Sequence, residues 1–392
     1  MAMQRPIFVA ATKQHVGKTT TSLALTSGLA KRFGKVGFMK PVGQQHVLVQ
    51  TSLTEQTIRV DKDVRLMREH FKLHHIDYQY MSPVLIPRGY TRDYIDGKIG
   101  DAQQERAIRN AYKRISEISD VMLCEGTGHV AVGSIVNMNN AKVAAMIGAD
   151  IVLIANGGLG SAFDDLELNR MVCQHHGVRI AGVVVNRVIP EKYEQTKEYM
   201  TKALQRWGVP LLGCIPDRPF LGCPALADVE RVFRTRLLSG GAKHRMRHYS
   251  VHGGNLVTTS VSDFQENLHM KPSRTLYFCH VTRNDIIRAF LEEHKRRAEL
   301  GEDFEAALLV CGRKDKYAMQ DETRDLIAAF GDLEAPVLHV EFPTIEAIEK
   351  VSNYTPKLTI DDPHRVQEAV NHYEPHIDFD LLLHRTSTSD WH

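Results

Sequence analysis

The loop at positions 11–20 is the feature that most restricts how this chain can fold. It reads ATKQHVGKTT and follows a continuously apolar run, PIFVAA at 6–11, which predicts a buried strand. An Ala/Leu/Ser-rich stretch from Lys18 to Phe33 predicts a helix directly after it. Backbone N–H groups and the positive end of the helix dipole attract phosphate at such a helix start. The loop therefore predicts that the chain binds a nucleoside triphosphate.

The residue types within the loop predict separate roles. Lys18 places a positive charge at the terminal phosphates, the Thr19 hydroxyl completes the oxygen shell of Mg²⁺, and Gly17 lets the backbone approach closely. The strict phosphate-loop pattern has glycine where this chain has Thr12. The residues expected to contact the nucleotide are Thr12, Gln14, His15, Val16, Gly17, Lys18, Thr19 and Thr20.

Apolar runs alternate with helical patterns along the first 238 residues. Besides 6–11, strands are predicted at 36–39, 121–124, 151–155, 180–185 and 210–214. Continuously apolar strands that alternate with helices form a parallel sheet covered on both faces. The predicted fold class is α/β, a P-loop NTPase with a mostly parallel, doubly wound sheet, plus a second, smaller α/β domain.

The length of 392 residues predicts more than one domain. We expect a nucleotide-binding domain at 1–238, a basic, glycine-containing linker at 239–249, the second α/β domain at 250–378 and a tail at 379–392. Strands of the second domain are predicted near 275–279, 307–311 and 337–341.

Composition restricts the partners and the compartment. A formal net charge of +2 does not favour a nucleic-acid-binding protein. No apolar run approaches about 18 residues, so no membrane span is expected. The six cysteines form no Cys-x-x-Cys pair, which is typical of buried thiols in a reducing compartment. We expect a cytoplasmic protein that binds neither nucleic acid nor membranes.

Six motifs in a fixed order resemble those of dethiobiotin synthetase. They are the loop at 11–20, MKPV at 39–42, KDV at 62–64, CEGTG at 124–128, VNRV at 185–188 and GCIP at 213–216. The resemblance covers about residues 6–235 and implies ATP and Mg²⁺ as cofactors.

The resemblance also implies roles for five residues outside the loop. Lys40 is implied to face the phosphates and the reacting carbamate, and Asp63 and Glu125 are implied to bind magnesium with the loop threonine. Asn186 is implied to bind adenine, and Pro216 to belong to the nucleotide site. Lys40, Asp63, Glu125 and Asn186 each also have an ordinary structural interpretation, as a helix cap or surface acid, a solvated charge or a turn residue.

Lys13 departs from the dethiobiotin synthetase pattern. It stands five residues before Lys18, where deviant phosphate-loop ATPases that position chromosomes and septa carry a signature lysine. In those proteins the lysine reaches the partner subunit's nucleotide, so the resemblance implies a homodimer with Lys13 acting in trans. The alternative is a loop lysine that neutralises phosphate charge in its own subunit.

Further departures fall on the substrate side. The residues that help seat the diamine in dethiobiotin synthetase correspond to Gln14 and His15, and the serine four residues after the lysine of its Lys-Pro-Val segment corresponds to Gln44. We therefore expect an unknown small-molecule acceptor rather than synthesis of dethiobiotin. His15 is either an acid–base group beside the phosphates or a solvent-facing loop residue.

Residues 250–375 resemble the domain named for its Asp-Arg-Thr-Gly-Gly motif (DRTGG), which follows a dethiobiotin-synthetase-like domain in long phosphotransacetylases. The matching pieces lie at 254–257, 282–285, 309–312, 335–337 and 355–358. Arg283 of the motif is kept and the glycine pair is absent near it. The acetyl-transfer domain of those enzymes needs several hundred more residues, so acetyl transfer is not expected. The resemblance implies a regulatory or oligomerising unit.

Two functions are compatible with these motifs. One is an ATP-dependent ligase-like enzyme that activates a carboxylate or carbamate as a mixed phosphate anhydride, with Lys13, Lys18 and Lys40 as catalytic candidates. The alternative is a nucleotide-dependent regulatory or assembly protein, a switch with little or no catalysis. A degenerate nucleotide-binding scaffold is a third interpretation.

Overall fold

The structure is a computed structural model that describes residues 4–51, 56–251, 256–270, 274–313, 319, 321–330 and 335–388. The chain divides into two compact units. The first comprises Met1–Arg218 together with Leu358–His392, and the second comprises Pro219–Lys357. Positions 254 and 255 of the DRTGG-like pieces lie outside the described residues.

The first unit holds ten strands and ten helices within the described residues. Its strands are β1 (Ile7–Ala11), β2 (Val36–Met39), β3 (Val42–Gly43), β4 (His46–Gln50), β5 (Thr57–Asp61), β6 (Val84–Leu85), β7 (Val121–His129), β8 (Asp150–Asn156), β9 (Ile180–Val188) and β10 (Leu211–Pro216). Its helices before the second unit are α1 (Lys18–Ala30), α2 (Lys62–His70), α3 (Tyr78–Met81), α4 (Tyr90–Ile95), α5 (Asp101–Ser116), α6 (Asn140–Met146), α7 (Gly160–His175) and α8 (Tyr193–Gln205).

The main sheet of this unit has the order β10-β9-β8-β1-β7-β2, and all of its strand pairs are parallel. Consecutive residues of a strand point to opposite faces, and every residue of β1 and β2 is buried. The sheet is therefore covered on both faces, which confirms the predicted fold class. Because β1 lies between β8 and β7, the loop that follows it emerges at the middle of the sheet.

The second unit is a smaller α/β body with its own sheet. Its elements are α9 (Leu226–Phe233), β11 (Leu237–Ser239), α10 (Ala242–Arg245), α11 (Val261–Met270), β12 (Thr275–His280), α12 (Asn284–Glu299), β13 (Ala306–Cys311), α13 (Asp321–Ala329), β14 (Val337–Val340) and α14 (Thr344–Ser352). The sheet order is β11-β14-β13-β12, with β11 antiparallel to its neighbour. Leu308 and Leu309 belong to different apolar clusters, so this sheet also has a core on each face.

The chain then returns to the first unit with α15 (Pro363–Tyr373) and α16 (Phe379–Arg385). The predicted boundaries differ from this division. The segment expected to be a linker, 239–249, contains α10 within the second unit, and the segment expected to be a tail contains the buried residues Phe379 and Thr386. Residues 358–388 therefore belong to the first unit.

Contacts along α1 hold this C-terminal segment in place. The Ser27 hydroxyl donates a hydrogen bond to Glu374 at 2.6 Å, and Lys31 pairs with the same carboxylate. The Phe379 ring lies against Gly28, where an added Cβ would come within 2.0 Å of the ring. Only glycine leaves room for that ring, which explains why a glycine occupies the middle of α1.

Candidate functional site

The phosphate loop connects β1 to α1, as the sequence predicts. The Thr12 N–H donates to the Ile154 carbonyl at 2.9 Å, which continues the pairing of β1 with β8. Within the loop the left-handed conformations fall at His15 (φ 61°) and Gly17 (φ 96°). Threonine is therefore compatible with position 12, whereas Gly17 needs the freedom of glycine. A Cβ added to Gly17 would also lie 2.3 Å from Asn186 Nδ2.

Asn186 braces the loop from the end of β9. Its side chain is 0% exposed, its Nδ2 donates to the Val16 carbonyl at 2.7 Å, and its Oδ1 accepts from the Arg187 N–H at 2.8 Å. A buried amide with both ends bonded fixes backbone geometry firmly. Asn186 thus has a clear positioning role, and its predicted contact with adenine stays a prediction.

The first turn of α1 meets the end of β7. The Thr19 hydroxyl donates to Glu125 Oε1 at 2.9 Å. Glu125 is 1% exposed, and its Oε2 has no hydrogen-bond partner among the described residues. An unpaired buried carboxylate oxygen is costly unless a cation or a donor completes it. Beside a threonine hydroxyl, this oxygen suits Mg²⁺, which prefers hard oxygen ligands.

Lys40, at the end of β2, lies among three carboxylates. Its Nζ pairs with Asp63, lies 3.2 Å from Asp61 Oδ1, and lies 3.5 Å from Glu125 Oε1. Lys62 also pairs with Asp63. All three carboxylates and Lys40 are buried, so this is a compact charge cluster rather than a solvated surface.

Burial and mutual attraction shift the pKa values of this cluster. Burial alone would lower the pKa of Lys40, but Asp63, Glu125 and Asp61 together raise it well above its usual range. Burial would raise the pKa of Asp63, but Lys40 and Lys62 lower it. For Glu125 burial prevails over the nearby lysines, and its pKa is raised. Lys40 and Asp63 therefore stay charged near neutral pH, and Glu125 is the proton-sensitive member.

The loop lysine Lys18 is half-buried beside this cluster. Burial lowers its pKa, and the attraction of Glu125 opposes that shift. A bound triphosphate would add negative charge and restore the preference for the protonated lysine.

Lys13, Gln14 and His15 face solvent at the outer side of the loop. The Lys13 side chain is 58% exposed and forms an ion pair with Asp165 of α7 at 2.7 Å. In the isolated chain Lys13 is thus held by its own subunit. Both its cis and its trans roles remain predictions.

Two asparagines that the sequence motifs did not single out hold the loops around the site. Asn169 of α7 donates to the Thr12 carbonyl at 3.1 Å and accepts from the Val130 N–H at 3.0 Å. Asn140 of α6 donates to the Thr127 carbonyl at 2.8 Å. Asp61 was also missed, although it caps α2 by accepting from the Asp63 N–H at 3.0 Å. In the sequence, only the position of Asp61 directly before a helical pattern indicates that it caps a helix.

The structure thus brings together Lys18, Thr19, Lys40, Asp63 and Glu125 near the carboxyl ends of β1, β7 and β2, the edge of the sheet at which ligands of open parallel sheets bind. Among the described residues no group of three or more His, Cys, Asp or Glu side chains is arranged to hold a metal by itself. A magnesium ion at this position would take its remaining oxygen ligands from phosphate and water, as Mg²⁺ usually does in proteins.

A sequence profile described as an AAA domain matches residues 5–225, more than half of the chain. The chain belongs to this AAA domain family. Its first unit is accordingly a P-loop NTPase domain, in agreement with the sheet and the loop.

Curated relatives of two kinds are similar to this chain. A phosphate acetyltransferase of Nitratidesulfovibrio vulgaris is 23% identical over 384 residues, covering 96% of this chain and 51% of the relative. A phosphate acetyltransferase of Nitrosomonas europaea is 29% identical, covering 61% of this chain and 33% of the relative. An ATP-dependent dethiobiotin synthetase of Methanocaldococcus jannaschii is 25% identical, covering 54% of this chain and 94% of the relative.

The chain spans about half or less of the length of these phosphate acetyltransferases. Among solved structures, the MinD cell division protein of Aquifex aeolicus is 18% identical, with a TM-score of 0.34, over 55% of this chain and 84% of that one.

No helix in the described part of the chain combines the length and hydropathy that a bilayer span requires.

Proposed function

We propose that this chain binds ATP with Mg²⁺ at the phosphate loop and uses it as a ligase-like enzyme. It would activate the carboxylate or carbamate of a small acceptor as a mixed phosphate anhydride. The observation that carries the proposal is the group formed by Thr19 and the buried side chains of Glu125, Lys40 and Asp63 beside Lys18. A catalytic site gains most from fixed charges that already surround the transferred phosphoryl group.

Each residue of the group has a task that follows from its surroundings. Lys18 holds the terminal phosphates, and Lys40, which stays protonated, stabilises negative charge on the transferred phosphoryl group. Thr19, Asp63 and Glu125 are the proposed ligands of Mg²⁺, which when bound neutralises phosphate charge. Lys13 is the third catalytic candidate, and its role depends on whether it reaches its own nucleotide or a partner's.

The side of the site where an acceptor would bind is lined by Gln14 and His15 of the phosphate loop. Gln14 and His15 are exposed, and neither is the residue type that seats a diamine in dethiobiotin synthetase. The proposed acceptor is therefore a small carboxylate or carbamate other than the dethiobiotin precursor. A cytoplasmic location and a homodimer complete the proposal.

The proposal is tested first by nucleotide binding. Lys18→Ala is expected to weaken MgATP binding at least tenfold, because a half-buried cation would be missing at the phosphates. Titration calorimetry on the full chain measures this change. Lys35→Ala removes an exposed lysine before β2 and serves as the matched control. Equal ATP affinity in Lys18→Ala and in the parent chain would refute the nucleotide site.

Turnover then separates a ligase from a switch. A ligase hydrolyses ATP only with its acceptor, so a panel of carboxylates, and of diamines supplied with bicarbonate to form the carbamate, should contain a compound that starts phosphate release. A switch hydrolyses ATP slowly without any acceptor and changes its size when nucleotide binds.

The switch is the alternative function, and the exposure of Lys13 favours it. In that case the second unit, as a DRTGG-like domain, would report the nucleotide state or mediate assembly. Its Arg283 pairs with Asp285 at 2.9 Å and also donates to the Thr259 carbonyl at 3.2 Å. An anion would have to compete with these partners to bind Arg283.

A further inference from the structure

Two lysines contact the carboxylate of Asp63, one at each oxygen. Lys62 Nζ lies 2.5 Å from Asp63 Oδ1, and Lys40 Nζ pairs with Oδ2 of the same carboxylate. The Asp63 side chain is only 6% exposed, so water and salt screen these charges weakly. Asp63 is a proposed ligand of Mg²⁺, and a divalent cation at either oxygen would be repelled by the adjacent ammonium group. Mg²⁺ therefore binds Asp63 well only if one of the two lysines moves away.

Lys40 is the lysine that is firmly held. Besides pairing with Asp63, its Nζ lies 3.2 Å from Asp61 Oδ1 and 3.5 Å from Glu125 Oε1, and its side chain is only 8% exposed. Asp61 is itself fixed, because its carboxylate accepts hydrogen bonds from the Gln44 N–H at 3.1 Å and the Asp63 N–H at 3.0 Å. A buried ammonium group needs a counter-ion, and Lys40 retains Asp61 even when Asp63 and Glu125 bind a metal.

Lys62 is the lysine that can leave. Its side chain is 24% exposed, and among the described residues Asp63 is its one ion-pair partner. The two residues are neighbours at the start of α2, where consecutive side chains do not face each other, so the long lysine side chain folds back to reach the carboxylate. The Lys62 backbone is held separately, since its N–H donates to the Gln45 carbonyl at 2.8 Å. The side chain can therefore move into solvent while α2 stays in place.

We propose that Lys62 competes with Mg²⁺ for Asp63, so that the metal enters the site by displacing the Lys62 ammonium group and not that of Lys40. This inference rests on the proposed binding of MgATP. A bound triphosphate adds negative charge beside the cluster and favours the entry of a cation, so the competition restricts metal binding most when nucleotide is absent. Lys62 is thus a positioning residue that makes the metal site depend on the nucleotide.

Manganese binding measured without nucleotide tests the competition. Mn²⁺ takes the same oxygen ligands as Mg²⁺, and its paramagnetic resonance signal reports the free ion directly. Lys62→Met removes the charge and keeps a long side chain. We expect this substitution to lower the Mn²⁺ dissociation constant of the full chain by about threefold or more, the effect of losing one partly exposed ion pair. Lys142→Met is the matched control and should leave the constant unchanged, because the Lys142 side chain is 23% exposed and pairs with Glu105 at 3.0 Å.

The substitution Asp63→Asn shows whether the gain arises at Asp63. Without this carboxylate there is nothing for Lys62 and the metal to compete for, so Lys62→Met should no longer change the Mn²⁺ affinity. Equal Mn²⁺ affinity of the parent chain and of Lys62→Met would overturn the inference, as would a gain that persists together with Asp63→Asn. Far-ultraviolet circular dichroism reports whether each variant is folded, and the comparison of Lys62→Met with Lys142→Met decides the matter even if Asp63→Asn does not fold.

Calorimetric titration of the parent chain with MgATP separates this inference from the proposed function. If the parent chain binds MgATP and Lys62→Met shows no gain of Mn²⁺ affinity, the competition is refuted and the proposed function stands. If the parent chain does not bind MgATP, the proposed function fails and the inference fails with it.

Discussion

At the scale of single residues, Glu125 is the most informative position. It combines a hydrogen bond to Thr19, a 3.5 Å contact with Lys40 and a buried second oxygen that is unpaired within the described chain. Glu125→Gln keeps the shape and an oxygen for the Thr19 bond but removes the charge. We expect MgATP to bind about tenfold more weakly, or about 1.4 kcal/mol, while binding of ATP in excess EDTA changes little.

The same residue predicts a pH dependence. Burial raises the pKa of Glu125, and Mg²⁺ needs its ionised form. The magnesium-dependent part of ATP binding should therefore be complete above the raised pKa. It should be lost as the pH falls through that value, at a higher pH than the pKa of about 4.3 of an ordinary glutamate would suggest. Titration calorimetry across the acid range measures the loss. A profile in Glu125→Gln identical to that of the parent chain would assign it to another group.

The sequence predicted that these candidate site residues lie close together because parallel strands end at one edge of the sheet. Lys40, Asp63 and Glu125 follow or lie in elements whose apolar runs were recognisable, so their proximity could be inferred. Asp61 and Asn169 could not be inferred in the same way. Their roles depend on hydrogen bonds to backbone groups of other loops, such as the bond from Asn169 to the Thr12 carbonyl, and no local pattern encodes such partners.

At the scale of elements, the contact of α16 with α1 is the feature that most changes the expected domain plan. Phe379 is buried and its ring occupies the space above Gly28. Phe379→Ala is expected to destabilise the protein by about 3–5 kcal/mol, since a large buried ring is removed. Thermal and urea unfolding measure the change. Leu168→Ala on α7, where the side chain is 65% exposed, should stay within about 0.5 kcal/mol.

A double-mutant cycle tests the contact between Gly28 and Phe379 directly. Gly28→Ala alone should destabilise the protein, because the added Cβ would clash with the Phe379 ring. In the Phe379→Ala background the clash is gone, and alanine should be neutral or stabilise α1 by up to about 1 kcal/mol. Additive effects of the two substitutions would show that Phe379 does not pack on Gly28 in solution.

Hydrophobic periodicity predicted many of the elements, but it did not indicate where α15 and α16 pack. Tyr373 and Gly17 lie far apart in sequence, and their proximity depends on the chain leaving the first unit for residues 219–357 and returning afterwards. Because such an insertion leaves the hydrophobic patterns before and after it unchanged, the sequence does not indicate that the segments on its two sides pack together. The predicted strands at 275–279, 307–311 and 337–341 were therefore confirmed, whereas the division of the chain around them was not that expected.

At the scale of the whole molecule, Lys13 determines whether two chains share one proposed nucleotide site. Lys13 is exposed and paired with Asp165 on α7, a helix that also exposes Leu168 and Met171. If Lys13 acts in trans, it must exchange Asp165 for a phosphate of the partner's nucleotide. An exposed ion pair costs little to break, about 0–1 kcal/mol, so a bound triphosphate can compete for the lysine.

This exchange predicts opposite effects for the two members of the pair. Lys13→Ala should abolish any dimer that forms with MgATP, whereas Asp165→Ala frees the lysine and should preserve the dimer or strengthen it. Light scattering coupled to size-exclusion chromatography, with and without MgATP, measures both. Lys35→Ala controls for the loss of one exposed positive charge. A nucleotide-dependent dimer that persists in Lys13→Ala would assign Lys13 to its own subunit, where it neutralises phosphate charge in cis.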